Sequence, residues 1–355
     1  MVGCQINLLK IQSMGKMYKT VVRLSILLGV YSRHLCSVNK QQEFKTNNYK
    51  NRTMKNLILA TSLIMTLITS QSTFSQTKRI PASAGRSEYI EVEPGVKLHV
   101  TDLGEGQPLV LIHGWPLSDE MYEYQYQYFS RKGFRVIGIS LRGFGKSDKP
   151  YGKYNFDVFS DDIKVVLEKL KIENAVLGGF SMGGAVTIHY VNKYKAAHVS
   201  KLALFAAAAP SWKQRADYNY GVSEADAAGL IKQTMTNRED LIAGFGAAFA
   251  AKGTSLSKNV EKWLETINLS ASPFAITESI SALGDLDLRP VLKNINIPVA
   301  IFQGTKDQLI DFALAEQLQK GLKNAYIVKF ENSGHALFVE EMDKFNSELE
   351  KFAKK

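Results

Sequence analysis

A hydroxyl, an imidazole and a carboxylate together can run acyl transfer, and three stretches of this chain offer one each. Ser181 stands in Gly179-Phe180-Ser181-Met182-Gly183, Asp307 in Gly304-Thr305-Lys306-Asp307 and His335 in Ser333-Gly334-His335. A serine hydroxyl is a poor nucleophile until a base removes its proton. His335 is the candidate base, and Asp307 is the candidate group to hold its ring in one tautomer and stabilise its cationic form. The backbone N–H of Met182, directly after the serine, and that of Trp115, in His113-Gly114-Trp115-Pro116, are the candidate donors to the oxyanion of a tetrahedral intermediate. Gly179 and Gly183 have a physical reason: a sharp turn at Ser181 leaves no room for a side chain on either side. Gly114 permits a similarly tight bend after its strand.

Each residue also has a plainer reading. His335 alone could be a loop histidine, and Asp307 alone a helix cap. Asp311 is a rival for capping, and Asp285 and Asp287 are rivals for the third catalytic position. Asp307 is preferred because it stands directly past a strand end. His189 and His198 read as bystanders. No His-x-x-x-His or paired-acid spacing stands near Ser181, so no metal is expected.

The elements that must position these residues alternate. Tyr89 to Val92 and Lys97 to Thr101 flank the turn pair Pro94-Gly95 and read as a hairpin. Leu109 to Ile112, Arg135 to Ile139, Ala175 to Leu177 and Leu202 to Phe205 are short apolar runs, the pattern of strands buried on both faces. Residues 118–130 conflict: Tyr122, Tyr124, Tyr126 and Tyr128 alternate as in a strand, whereas Tyr122, Tyr126 and Phe129 fit a helix. Helix is chosen, because parallel strands need a crossover between 112 and 135. Phe156 to Leu170 reads as an amphipathic helix, and another runs from the serine turn to Tyr194. The loop from Leu141 to Pro150 is expected near the cleft. From about 210 to 285 the alternation gives way to a helix-prone insertion carrying Trp212, Phe245, Phe249, Trp263 and Phe274. Alternation then resumes: strand Val299 to Phe302, helix Asp311 to Leu322, strand Ala325 to Phe330 and a last helix from about Val339 to Ala353. Such alternation means an α/β fold with a mainly parallel sheet and helices on both faces.

The front of the chain differs from this body. Residues 1–75 hold both cysteines, Cys4 and Cys36, and ten of the 44 basic residues but only one of the 34 acids. The remainder has 34 basic and 33 acidic residues, so the net charge of +10 belongs almost entirely to the leader and gives no ground for nucleic-acid binding. Met54-Lys55-Asn56, an apolar run from Leu57 to Ile68 and the small residues up to Ser75 read as a secretory signal peptide over 54–75. Its core is shorter than a membrane span of roughly 20 residues. The expected location is periplasmic or secreted, without stable membrane insertion after cleavage. Residues 1–53 read as untranslated or dispensable leader, with Met54 the start; the mature domain is 76–355.

Five motifs in this order identify a family resemblance. His113-Gly114-Trp115-Pro116, Arg142-Gly143-Phe144-Gly145-Lys146-Ser147, Gly179-Phe180-Ser181-Met182-Gly183-Gly184, Gly304-Thr305-Lys306-Asp307 and Ser333-Gly334-His335 resemble the α/β-hydrolase superfamily, most of all its cofactor-free haloperoxidase and arylesterase branch. The resemblance implies an eight-stranded, mainly parallel sheet with a helical cap insertion, a serine esterase that needs no cofactor, and a small-molecule ester as partner. It also makes His113 a structural histidine. Alternatives in the same frame are perhydrolysis (the haloperoxidase activity), carbon–carbon bond hydrolysis and a non-catalytic small-molecule receptor. Epoxide hydrolases and haloalkane dehalogenases resemble an aspartate-nucleophile type and are disfavoured by Ser181.

Overall fold

A computed structural model describes residues 85–355. The expectations for 1–53 and 54–75 lie outside the described residues. Eight strands form one sheet: β1 (Gly85–Glu93), β2 (Val96–Leu103), β3 (Gln107–Ile112), β4 (Phe134–Ile139), β5 (Ala175–Phe180), β6 (Val199–Phe205), β7 (Val299–Gly304) and β8 (Ala325–Phe330). Their order across the sheet is β1-β2-β4-β3-β5-β6-β7-β8. β2 runs antiparallel to both β1 and β4, and every other pairing is parallel. β5 lies near the centre and all six of its residues are buried, as its unbroken apolar run requires.

The helices cover both faces. On one side α2 (Phe156–Lys169), α3 (Met182–Lys193) and α8 (Phe312–Gly321) bury an apolar stripe that includes Ile163, Val166, Ile188 and Leu314. On the other, α1 (Glu123–Ser130) brings Phe129 against Phe134, and α10 (Met342–Lys354) brings Phe345 against Phe205 and Phe302. The tyrosine conflict resolves as helix. Ser118 caps a 3₁₀ turn over Asp119–Tyr122, α1 follows, and Tyr122, Tyr126 and Phe129 are buried while Tyr124 is exposed. Burial thus follows the helical spacing and ignores the alternation.

Two elements differ from expectation. The last helix breaks at Glu341 into α9 (Leu337–Glu340) and α10. The break lets the carboxylates of Glu340 and Glu341 turn back onto the loop that carries His335. The insertion after β6 begins without helix: residues 211–222 hold only two isolated bridges, Lys213 with Val222 and Arg215 with Tyr218. Arg215 there donates to the carbonyls of Gly284, Asp285 and Leu286, satisfying the end of a later helix. The insertion then forms four helices, α4 (Glu224–Thr236), α5 (Arg238–Phe249), α6 (Lys258–Leu269) and α7 (Pro273–Asp285). Serines 223, 257 and 272 cap α4, α6 and α7 through their side chains. No helix among the described residues is long and apolar enough to cross a membrane.

Candidate active site

Ser181 occupies the turn from β5 into α3 with φ 52° and ψ −119°, a conformation that residues with a side chain rarely adopt. Its neighbours hold it there. The Ser181 N–H donates to the Phe205 carbonyl at 2.9 Å, and its own carbonyl accepts from Gly184 at 2.9 Å and Ala208 at 3.0 Å. The two glycines are required by close approach: a Cβ at Gly179 would lie 2.4 Å from the Gly183 oxygen, and one at Gly183 would lie 2.3 Å from the His113 oxygen. Backbone strain of this kind costs on the order of 1–3 kcal/mol and persists only where the surroundings over-determine it.

His335 and Asp307 meet across the loops after β8 and β7. His335 Nδ1 lies 2.9 Å from Asp307 Oδ2. The Asp307 carboxylate also accepts from Gln303 Nε2 at 3.0 Å and from the backbone N–H of Leu309 and Ile310, each at 2.9 Å. Because these neighbours all donate, His335 carries its proton on Nδ1, which leaves the Nε2 lone pair free to act as a base. The imidazole is packed between Phe180, at 4.7 Å between ring centroids, and Phe249, at 5.2 Å. Asp307 therefore caps the turn and orients His335 at once. Asp311 caps α8 through the Ala313 N–H, whereas Asp287 is paired with Arg289 and does not join the site.

Ser181, Met182, Trp115 and His335 border one apolar cavity of about 210 Å³, roofed by Trp212, Leu230 and Phe245 of the insertion. Ser181 Oγ makes no side-chain hydrogen bond to another described residue; ligand-free sites commonly close this contact only on substrate binding. Met182 is the first residue of α3, so its N–H has no partner inside the helix. The Trp115 indole N–H donates to the Ile276 carbonyl at 3.0 Å, tying the strand end to α7. Of the insertion's aromatic residues, Trp212 and Phe245 reach the cavity and Phe249 reaches His335. Trp263 packs edge-on against Tyr124 and Phe274 stacks on Tyr151. His189 and His198 lie elsewhere, against Ser160 and Glu173. The Arg142 guanidinium is engaged by Asp162 and Glu93, each at 2.7 Å, and anchors its loop. Among the described residues no group of three His, Cys, Asp or Glu side chains is placed to hold a metal ion.

His113 sits beneath the serine turn and is fully buried. Its Nδ1 donates to the Gly114 carbonyl at 2.8 Å, and its Nε2 accepts from the Leu141 N–H at 3.0 Å. Desolvation pushes its pKa down from 6.5 to about 4, with the Gly114 carbonyl and Asp119 opposing. The folded state thus prefers the neutral ring. The resulting stability, about 3 kcal/mol, is present above about pH 6.5 and lost as the pH falls towards 4. In denaturant unfolding at pH 7 and pH 4, the wild type is expected to lose about 3 kcal/mol more than His113→Gln.

Sequence reasoning missed two positioning groups. Gln303 holds Asp307, and its signal was a lone polar residue in the apolar run of β7. Glu340 accepts from the N–H of Gly334, beside His335, and from that of Ala251, just past α5, both at 2.7 Å. Burial pushes its carboxyl up and the Asp307 charge adds to that, against the two backbone hydrogen bonds. In the sequence it was indistinguishable from a solvated acid on a helix. Glu340→Gln puts an NH₂ against one of two N–H donors, and chemical unfolding is expected to show a loss of about 2 kcal/mol.

A family model described as the alpha/beta hydrolase fold matches residues 107–342. The chain belongs to the α/β-hydrolase family. It is 41% identical over 265 residues to AB hydrolase superfamily protein YisY of Bacillus subtilis, covering 75% of this chain and 98% of that protein. It is 31% identical over 266 residues to a putative non-heme chloroperoxidase of Synechocystis, covering 72% of this chain and 95% of that protein. Among solved structures, an esterase from Exiguobacterium antarcticum superposes with a TM-score of 0.74 at 36% identity, over 76% of this chain and all of that one.

Proposed function

We propose that this protein hydrolyses small carboxylic esters through an acyl-enzyme on Ser181. The observation that carries this reading is the strained Ser181 opening onto the same apolar cavity as His335, whose ring Asp307 holds from behind. His335 Nε2 takes the Ser181 proton as the oxygen attacks the ester carbonyl. The N–H groups of Met182 and Trp115 stabilise the oxyanion, His335 returns the proton to the departing alcohol, and water repeats the cycle on the acyl group. Attack by peroxide in place of water would release a peracid, and the similarity to the chloroperoxidase favours this as a second reaction of the same intermediate. The test is turnover of p-nitrophenyl esters of increasing acyl length. A cavity of about 210 Å³ favours short acyl chains, and activity should fall steeply once the chain outgrows it. A folded protein without turnover would overturn the ester reading in favour of carbon–carbon hydrolysis or a receptor. We further propose that residues 54–75 direct export; retention of the native protein in the cytoplasmic fraction would overturn that.

A further inference from the structure

A second hydroxyl–imidazole–carboxylate chain lies outside the Ser181 cavity. On the β1–β2 ribbon Ser87 pairs with Thr101 and Tyr89 with His99, so Ser87 and His99 are diagonal neighbours on one face. Ser87 Oγ stands 2.6 Å from His99 Nε2, and His99 Nδ1 stands 3.1 Å from Asp119 Oδ1. Asp119 also accepts from Thr101, Ser140 and Tyr126 hydroxyls. Burial pushes its carboxyl up, but the hydrogen bonds from His99, Ser140 and Thr101 outweigh burial and leave it below the usual range. The carboxylate therefore fixes the proton on Nδ1 and turns the Nε2 lone pair to the Ser87 hydroxyl.

A packing role would need only the His99–Asp119 half of this chain. The rest has the layout of a reactive site: Ser87 is exposed while His99 and Asp119 are buried. All three border a cavity of about 410 Å³ whose other walls include Lys146, Trp263 and Thr266. Trp263 offers a flat apolar wall, and Lys146, paired with Glu120 at 2.7 Å, is a cation bordering the same cavity as the hydroxyl.

We propose that Ser87, with His99 as base and Asp119 as its orienting group, is a second acyl-accepting site for small activated aryl esters. Ser87 Oγ bonds to the ester carbonyl carbon as its proton passes to His99 Nε2. The bond from that carbon to the phenolic oxygen breaks, and His99 returns the proton to the departing phenolate. Water hydrolyses the acyl-serine in a later step. Ser87 lies within a strand and has no helix N-terminus behind it, so only Lys146 offsets the oxyanion charge. The site accordingly acylates slowly and close to stoichiometrically.

The test is full-length Ser181→Ala treated with p-nitrophenyl acetate, followed by peptide mapping. The expected result is a slow phase releasing one equivalent of p-nitrophenol, with acetyl on Ser87 appearing about 100-fold faster than on the exposed Ser255. Adding His99→Gln should bring Ser87 down to the rate of Ser255, and adding Ser87→Ala should remove the phase without moving the thermal midpoint. Equal acetylation of Ser87 and Ser255 in folded Ser181→Ala overturns the proposal, whether or not the His99 variant folds. Undiminished acetylation of Ser87 in a folded His99→Gln variant overturns it as well.

Discussion

Ser181→Ala is expected to lower kcat for ester hydrolysis by on the order of 10⁶-fold, with little change in KM. Without the hydroxyl, His335 has no proton to take and no acyl-enzyme forms; the remaining rate comes from the oxyanion donors and from binding alone. Stopped-flow and steady-state assays on p-nitrophenyl acetate measure both parts, since the wild type should show an acylation phase that the variant lacks. The slow phase assigned to Ser87 sets the floor, and peptide mapping separates the two. A companion variant isolates the strain. At φ 52° alanine keeps the steric cost that serine bears, whereas glycine does not. Ser181→Gly should therefore be as inactive as Ser181→Ala yet more stable by about 1 kcal/mol in chemical unfolding. Turnover surviving in either variant at more than a small fraction of wild type would overturn Ser181 as nucleophile.

Asp307→Asn is expected to cost on the order of 10⁴-fold in kcat. The reason lies in the four donors around the carboxylate: His335 Nδ1, Gln303 Nε2 and the N–H groups of Leu309 and Ile310. An amide has one oxygen. If its NH₂ faces Leu309 and Ile310, the turn carrying the residue is pushed apart. If it faces His335, the ring is driven to the Nε2–H tautomer and loses the lone pair needed to accept the serine proton. Either outcome removes the base, so kcat should collapse; KM should hold if the NH₂ faces His335, whereas a displaced turn also moves Leu309 and Ile310 in the cavity wall. Loss of less than about tenfold would show that Asp307 does not orient His335. Gln303→Leu offers a milder check: one of the four donors goes, and a drop of about tenfold in kcat is expected because the carboxylate keeps the other three.

Much of this architecture was legible because local physics determines it. A glycine-flanked serine between an apolar strand and a helix has few conformations open to it, and the runs Leu109–Ile112, Ala175–Leu177 and Val299–Phe302 are too short and apolar to be anything but buried strands. The β7 and β8 loops, bearing an aspartate and a histidine, could be read from where those strands stop. The segment 211–222 lies in the helix-prone stretch yet is irregular, because Arg215 there serves carbonyls about seventy residues away. The continuous last helix was likewise overruled when Glu340 and Glu341 reached back to the His335 loop.

What the sequence determined by itself was the set of strands, the serine turn and the order in which a serine, an aspartate and a histidine arrive past strand ends. Those follow from residue size, backbone freedom and hydrophobic period, which act over a few residues at a time. Only the tertiary structure decided which carboxylates touch which histidines. Gln303 holds Asp307, Glu340 joins Gly334 to Ala251, and Ser87, His99 and Asp119 fall into line at a sheet edge. A hydrogen bond needs its two atoms within about 3 Å, and that proximity is set by how strands and helices pack rather than by spacing along the chain.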